Sequence, residues 1–174
     1  MTSSRSPLPA SPAALTDKDR GFMQRVLELA MESRNRGRHP FAAIVVDGQG
    51  RIVAECFNNS MPPEGDPTQH AERLAAAAAA SRLTLRELAA STLYTNAEPC
   101  AMCAGAVYWC NIGRVVYAMS EEDLLQLTGS HEENPTLSLP CREVFARGQR
   151  VVEVLGPLPE FEEQAKQAHL GFWS

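Results

Sequence analysis

No stretch of this chain approaches the roughly 18 consecutive apolar residues that a membrane-crossing helix needs. Residues Met1 to Ala14 hold four Ser and three Pro and lack the apolar core of a secretory signal. They are expected to form a disordered lead-in, residues 1–15, and the chain to stay in the cytoplasm. Positive charge is also scarce. The net charge of −5 argues against nucleic acid as a partner, since nucleic-acid binders carry a basic patch or a high pI. Paired cysteines are not expected either, because the five Cys are odd in number and no secretion signal precedes them. Cys56, Cys110 and Cys141 show no metal-type spacing among themselves and read as plain reduced thiols. No internal repeat is visible. The 174 residues suit a single domain, spanning 16–174, around one core.

What is present is an alternation of helix and strand signals. Thr16 to Arg36 predicts a helix, with Thr16 as N-cap, Asp17 and Asp19 in the first turn, and Phe22, Val26, Leu29 and Ala30 on one face. Phe41 to Val46 and Arg51 to Phe57 flank the turn cluster Asp47-Gly48-Gln49-Gly50 and predict a β-hairpin. A Pro-rich loop, Asn58 to Gln69, leads to His70 and an Ala-rich helix, Glu72 to Ala80. Leu83 to Ala90 fits a short helical continuation, and Thr92 to Asn96 a buried strand. Pro99 is expected at the first position of a helix reaching about Cys110, where its missing N–H costs nothing. Val115 to Ala118 reads as a strand, Glu121 to Leu127 as a helix and Gly129 to Pro140 as a polar loop. Val144 fits a helical turn, Val151 to Leu155 a strand and Glu160 to His169 the last helix. The order predicts an α/β fold, a three-layer α/β/α sandwich whose sheet of about five strands is mixed because it contains a hairpin.

Two short segments carry chemistry. His70-Ala71-Glu72 and Pro99-Cys100-Ala101-Met102-Cys103 offer three metal ligands, His70, Cys100 and Cys103, and one further carboxylate. Three protein ligands with an open fourth position are the mark of catalytic rather than structural zinc. One imidazole and two thiolates balance Zn²⁺, and one ion per chain is expected. Cysteines at a helix start are favoured as thiolates. Residues at i and i+2 do not share a helix face, so His70 and Glu72 converge only at the helix opening. Glu72 is then free to move protons between water, a ring nitrogen and departing ammonia. A redox dithiol, or a structural zinc completed by His131 or Cys141, explains the C-x-x-C alone. Neither explains Glu72. The H-x-E…P-C-x-x-C arrangement is the known signature of zinc nucleobase deaminases.

The match extends beyond the ligands. Asp66-Pro67-Thr68-Gln69-His70-Ala71-Glu72, the segment from Leu93 to Trp109, and Pro40-Phe41-Ala42-Ala43 together resemble the cytidine deaminase-like superfamily over roughly residues 20–118. The branch resembled holds bacterial guanine deaminases, fungal-type cytosine deaminase and tRNA adenosine deaminases, with guanine deaminase resembled most. The resemblance implies zinc on His70, Cys100 and Cys103, with Glu72 as proton shuttle. It also implies that Asn59, eleven residues before His70, pairs with the base, although a turn residue in Asn58-Asn59-Ser60 fits as well. It assigns the Ala71 N–H to holding the base and the Glu98 carbonyl to receiving the leaving amine, with Pro99 biasing Glu98 toward extended backbone. Phe41 and Trp109 fit ring-stacking walls and core packing equally.

Substrate identity is less sharply marked. Guanine deaminases carry Gly-Phe-Asp-Asp after the fourth strand, whereas this chain has Thr128-Gly129-Ser130-His131-Glu132-Glu133-Asn134-Pro135. Glu132 or Glu133 then supplies a carboxylate to ring N–H donors, or the segment is a solvated acidic loop. The apolar terminus Gly171-Phe172-Trp173 is expected to dock. By resemblance to guanine deaminases, Phe172 or Trp173 caps the pocket in its own subunit or across a homodimer, the expected assembly. The favoured activity is hydrolytic deamination of a small nucleobase or nucleoside, guanine or a related purine first, cytosine or isocytosine next. A tRNA adenosine deaminase is the second alternative, against which stands the acidic last helix, Glu160-Phe161-Glu162-Glu163, with only Lys166 nearby. A non-enzymatic zinc-stabilised subunit is the third, and the presence of Glu72 argues against it. A two-domain riboflavin-type deaminase is disfavoured because no residues remain for a second domain.

Overall fold

A computed structural model of the chain describes residues 14–129 and 131–173. The expected lead-in falls outside them except for Ala14 and Leu15, and Leu15 packs against the core. The elements in chain order are α1 (Asp17–Asn35), β1 (Ala42–Val46), β2 (Ile52–Phe57), α2 (Ala71–Ala80), α3 (Leu85–Ala89) and β3 (Thr92–Ala97). There follow α4 (Ala101–Trp109), β4 (Arg114–Met119), α5 (Glu121–Thr128), α6 (Cys141–Ala146), β5 (Glu153–Leu155) and α7 (Pro159–Gln167). The five strands form one mixed sheet in the order β2-β1-β3-β4-β5. β1 pairs antiparallel with both β2 and β3, while β3–β4 and β4–β5 are parallel.

Why the central strands read as unbroken apolar runs follows from this order. β1 is buried along its whole length, and β3 and β4 at every residue but the first. A sheet covered on both faces needs apolar side chains at every step. Alternate residues then serve opposite layers. Ala42, Ile44, Val46, Tyr94, Val116 and Ala118 meet Met23, Val26, Leu29 and Ala30 of α1 and Ala165 of α7. Ala43, Val45, Leu93, Val115 and Tyr117 meet Ala71, Ala75, Ala76 and Ala79 of α2, Ala104 and Val107 of α4, and Phe145 of α6. The Ala run of α2 is thus more than a helix-forming string, since small side chains let the helix lie close against β1 and β2. In β1–β2 the turn is closed by Asp47, whose Oδ1 accepts from Gln49 N and Arg51 N at 2.9 Å each. Gly50 adopts φ 81°, a left-handed conformation suited to glycine.

Two corrections to the local expectations concern helix starts. Pro99 is not the first helical residue. Cys100 is the N-cap of α4 and the helix begins at Ala101, which moves Pro99 outside it. α3 is also a separate helix with its own start, where Thr84 and Glu87 form a capping box.

One buried ion pair ties the α1 layer to the sheet. Asp19, third residue of α1, closes a capping box with Thr16 and accepts 2.6 Å hydrogen bonds from Tyr94 Oη of β3 and Arg114 Nη1 of β4. Burial pushes the Asp19 carboxyl up, but the bonds from Arg114, Tyr94 and Thr16 outweigh it and hold the group below the usual carboxylate range. A depressed folded pKa stabilises above the unfolded pKa of about 4, and the gain is lost as pH falls toward the folded value. Asp19→Ala is expected to cost about 3 kcal/mol of unfolding free energy at pH 7, because it strands Arg114, and about 1 kcal/mol less at pH 3, where the unfolded carboxyl is protonated and the folded one still ionised. Denaturant titrations at the two pH values check this.

Candidate metal centre and active-site cleft

The sheet topology gathers the site at one edge. The start of β1 and the ends of β2, β3 and β4 lie there together, as the pairings Ala42↔Phe57, Ala43↔Thr95 and Ala97↔Met119 require. α2 and α4 open at the same edge. Their N-caps are His70 and Cys100, both extended in backbone (ψ 149° and 170°), and neither uses its side chain to cap its helix. Side chains that would ordinarily serve N–H groups are left free to turn toward each other.

They meet. His70 Nδ1 lies 3.6 Å from Cys100 Sγ. Together with Cys103 Sγ the three ligand atoms lie within 4.8 Å of one another. Tetrahedral zinc with ordinary Zn–S and Zn–N bonds places its S and N ligands roughly 3.6 Å apart, so the donor set and its spacing fit the ion. Among the described residues this is the one cluster of its kind, and neither Cys141 nor His131 joins it. Three ligands leave the fourth position open, as a catalytic site requires.

Glu72 sits beneath the ligands, 4% exposed. Its Oε2 accepts from Cys103 Sγ at 3.6 Å and its Oε1 from Thr95 Oγ1 at 3.4 Å. Burial pushes its carboxyl up to about 7, against the pull of His70. The two cysteines diverge. The bond from Cys103 pulls Cys100 down to about 4, while that same bond and burial push the Cys103 thiol well up. The bond to Cys100 raises His70. This arrangement concentrates negative charge that a divalent cation neutralises.

A cleft of about 490 Å³ opens over these groups, lined among others by Phe41, Asn58, Glu98, Glu121, Leu124 and Glu133. None of the described residues lining it is Lys or Arg.

The description "cytidine and deoxycytidylate deaminase zinc-binding region" belongs to a family model that matches residues 16–119. This chain belongs to that family. It is a hydrolytic deaminase with a zinc cofactor. It is 36% identical over 163 residues to a probable cytosine deaminase of Schizosaccharomyces pombe, covering 94% of this chain and 97% of that one. It is 42% identical over 103 residues to the guanine deaminase of Bacillus subtilis, covering 59% of this chain and 65% of the relative. Among solved structures, the guanine deaminase of Nitrosomonas europaea matches with a TM-score of 0.71 at 26% identity, over 99% of this chain and 97% of that one. NE0047 bound to 2,6-diaminopurine matches with a TM-score of 0.71 at 28% identity, over 93% and 84%.

Several expected base contacts of the deaminase lie elsewhere than the sequence suggests. Asn59 is not among the cleft-lining residues. Its Nδ2 donates to Gln69 Oε1 at 2.5 Å, and its Oδ1 accepts from Arg38. Gly65 folds back so closely that a Cβ there would sit 1.6 Å from the Asn59 carbonyl oxygen. The neighbouring Asn58 lines the cleft instead, buried, with Oδ1 accepting from Ser60 N at 2.8 Å. Its Nδ2 is thereby the group it can offer a ligand. Trp109 is 79% exposed at the far end of α4 and walls nothing. Phe41 does line the cleft. Phe172 and Trp173 do not line it. Trp173 is buried against the rings of His39 (5.0 Å), Phe41 (6.1 Å) and His131 (5.5 Å), so in its own chain it backs the cleft wall rather than capping it. Ala71 is buried as the first residue of α2, where its N–H has no intrahelical acceptor.

Sequence reasoning missed the side chain of Glu98. Its carboxylate accepts from Cys141 N at 2.9 Å and Glu121 N at 3.2 Å, pinning the starts of α6 and α5 to the end of β3. Its side chain is thus structural, and only its carbonyl is left for a ligand. Glu121 was missed too, and burial pushes its carboxyl up to about 8. No local pattern marks either residue, because each depends on a distant strand end. Removal of one ligand, Cys103→Ser, is expected to lower bound zinc from one ion per chain to under a tenth after dialysis. Glu72→Gln retains the full complement, and metal analysis by emission spectrometry checks both.

Proposed function

We propose that this deaminase acts on a small free nucleobase, an aminopurine of the guanine kind foremost, replacing a ring amino group by a carbonyl and releasing ammonia. The lining of the cleft carries this reading. Carboxylates of Glu132 and Glu133 suit the ring N–H donors of a purine, and Asn58 Nδ2 suits a carbonyl oxygen or ring nitrogen. Phosphates have no cationic partner there, which disfavours nucleotides and RNA. The likeness to guanine deaminase structures supports the same choice. A pyrimidine such as cytosine is the second reading, favoured by the probable cytosine deaminase matched over 94% of this chain.

Zinc held by His70, Cys100 and Cys103 supplies Lewis acidity that makes water nucleophilic near neutral pH. The chain's own residues do the rest. Glu72 takes one proton as water adds to the ring carbon and passes it to the ring nitrogen; it then takes the proton of the new hydroxyl, which becomes the carbonyl, and gives it to the amine as the carbon–nitrogen bond breaks. A carboxyl held up to about 7 by burial both accepts and donates near neutrality. Phe41, which lines the cleft, offers a face for the ring, and the resemblance assigns the Glu98 carbonyl to accept from the leaving amine. A homodimer belongs to this proposal, since exposed Trp109 and Val151 offer apolar surface.

Ammonia release by zinc-loaded protein is expected with guanine and not with guanosine, adenosine or a tRNA anticodon stem-loop. Glu72→Gln is expected to lower kcat about a thousandfold with zinc content intact. Turnover of cytosine alone would transfer the assignment to the pyrimidine, and turnover of the stem-loop alone would reject the free-base reading.

A further inference from the structure

A base-binding cleft leaves His39 unexplained. It is 5% exposed, precedes β1, and directs its two ring nitrogens at different parts of the chain. Nε2 lies 2.9 Å from Glu133 Oε2 on the 129–140 loop. Nδ1 lies 3.3 Å from Ser60 Oγ, in the turn after β2. Ser60 bonds onward to Asn58, whose Oδ1 accepts from Ser60 N at 2.8 Å and from Ser60 Oγ at 2.7 Å. All four residues line the cleft.

The available donors and acceptors give this chain of contacts a direction. A backbone N–H only donates, so the Asn58 atom facing Ser60 N is its oxygen. The same oxygen takes the hydroxyl proton of Ser60, which leaves Oγ only lone pairs to offer His39. Nδ1 therefore carries a proton. An ionised carboxylate only accepts, so the bond between Nε2 and Glu133 needs a second proton in the pair. Phe172 and Trp173 wall the ring at 5.9 and 5.0 Å. Other ionisable groups around it are His131 on the loop and His169, both packed on Trp173, and Arg38, which is bonded to Asn59.

We propose that His39 is a positioning residue for substrate, a hydrogen-bonded latch that ties the loop segment 131–137 to the Asn58–Ser60 turn. Through it the Nδ2 donor of Asn58 and the carboxylate of Glu133 are presented to one ligand together. This rests on the nucleobase reading above. Because half of the Glu133 side chain is exposed, the effect of the latch is modest.

The test uses the zinc-loaded full chain and the base it turns over. His39→Phe is expected to raise KM about fivefold with kcat changed less than twofold, and Glu133→Ala, which leaves Nε2 without a partner, to raise KM similarly. His39→Gln, which keeps a donor, recovers at least half of the loss. Backbone amides between 131 and 137 exchange with deuterium several-fold faster in His39→Phe and Glu133→Ala than in the parent, with no substrate present. If no base is turned over, the nucleobase reading fails and this exchange still decides the latch. Unchanged exchange in both variants overturns it, as does a KM within 1.5-fold of the parent in both. Should His39→Phe not fold, Glu133→Ala breaks the same bond from its other end.

Discussion

Charge balance at two helix openings governs this structure. Two sulfurs, an imidazole and a buried carboxylate meet within a few ångströms, at the end of a sheet covered on both faces. Left to themselves these groups oppose one another. Cys100 holds its charge and Cys103 is pushed up by it, while burial pushes Glu72 toward its neutral form. A divalent cation resolves the conflict by accepting both sulfurs as thiolates. Helix N-termini help in the same sense, because α2 and α4 present their positive ends where the negative charge collects.

The fold serves this meeting point in a specific way. β1 runs antiparallel to β3, so its first residues and the last residues of β3 share an edge, and Phe41 comes to lie beside Glu98 and Cys100. Glu98 then fastens that edge to two later helices through backbone N–H groups, which holds Glu121 over the cleft. The far wall is built from the 129–140 loop and is backed by Trp173, which stacks on His169 (14° between ring planes) and accepts no solvent role. Rigid strands position the chemistry and longer loops shape what enters, the usual division of labour in such sheets.

Much of this was legible in the residues. Thr16, with Asp17 and Asp19 in the first turn, announced the start of α1. The apolar runs of β1, β3 and β4 announced a sheet buried on both sides. His70, Glu72, Cys100 and Cys103 announced their own proximity, because a metal site constrains residue type and spacing together. Asn58 was not legible. The pair Asn58-Asn59 offers the same amide twice, and the choice turns on how Gly65 folds back onto Asn59 and on Arg38 and Gln69 holding its side chain. Trp109 reads as a wall only if α4 is imagined to turn its end toward the cleft, and it does not.

The sequence by itself determined the metal, the proton carrier, the class of reaction and the layered fold. Each of these rests on local chemistry: ligand types, short spacings, strand and helix periodicity. Only the tertiary structure decided which amide lines the cleft, that Glu98 is a strut, and that His39, Ser60 and Glu133 form one chain of contacts. Those facts depend on residues up to 94 positions apart, brought together by strand order and loop closure. No periodicity encodes such contacts, because their energy is realised only once the sheet has assembled.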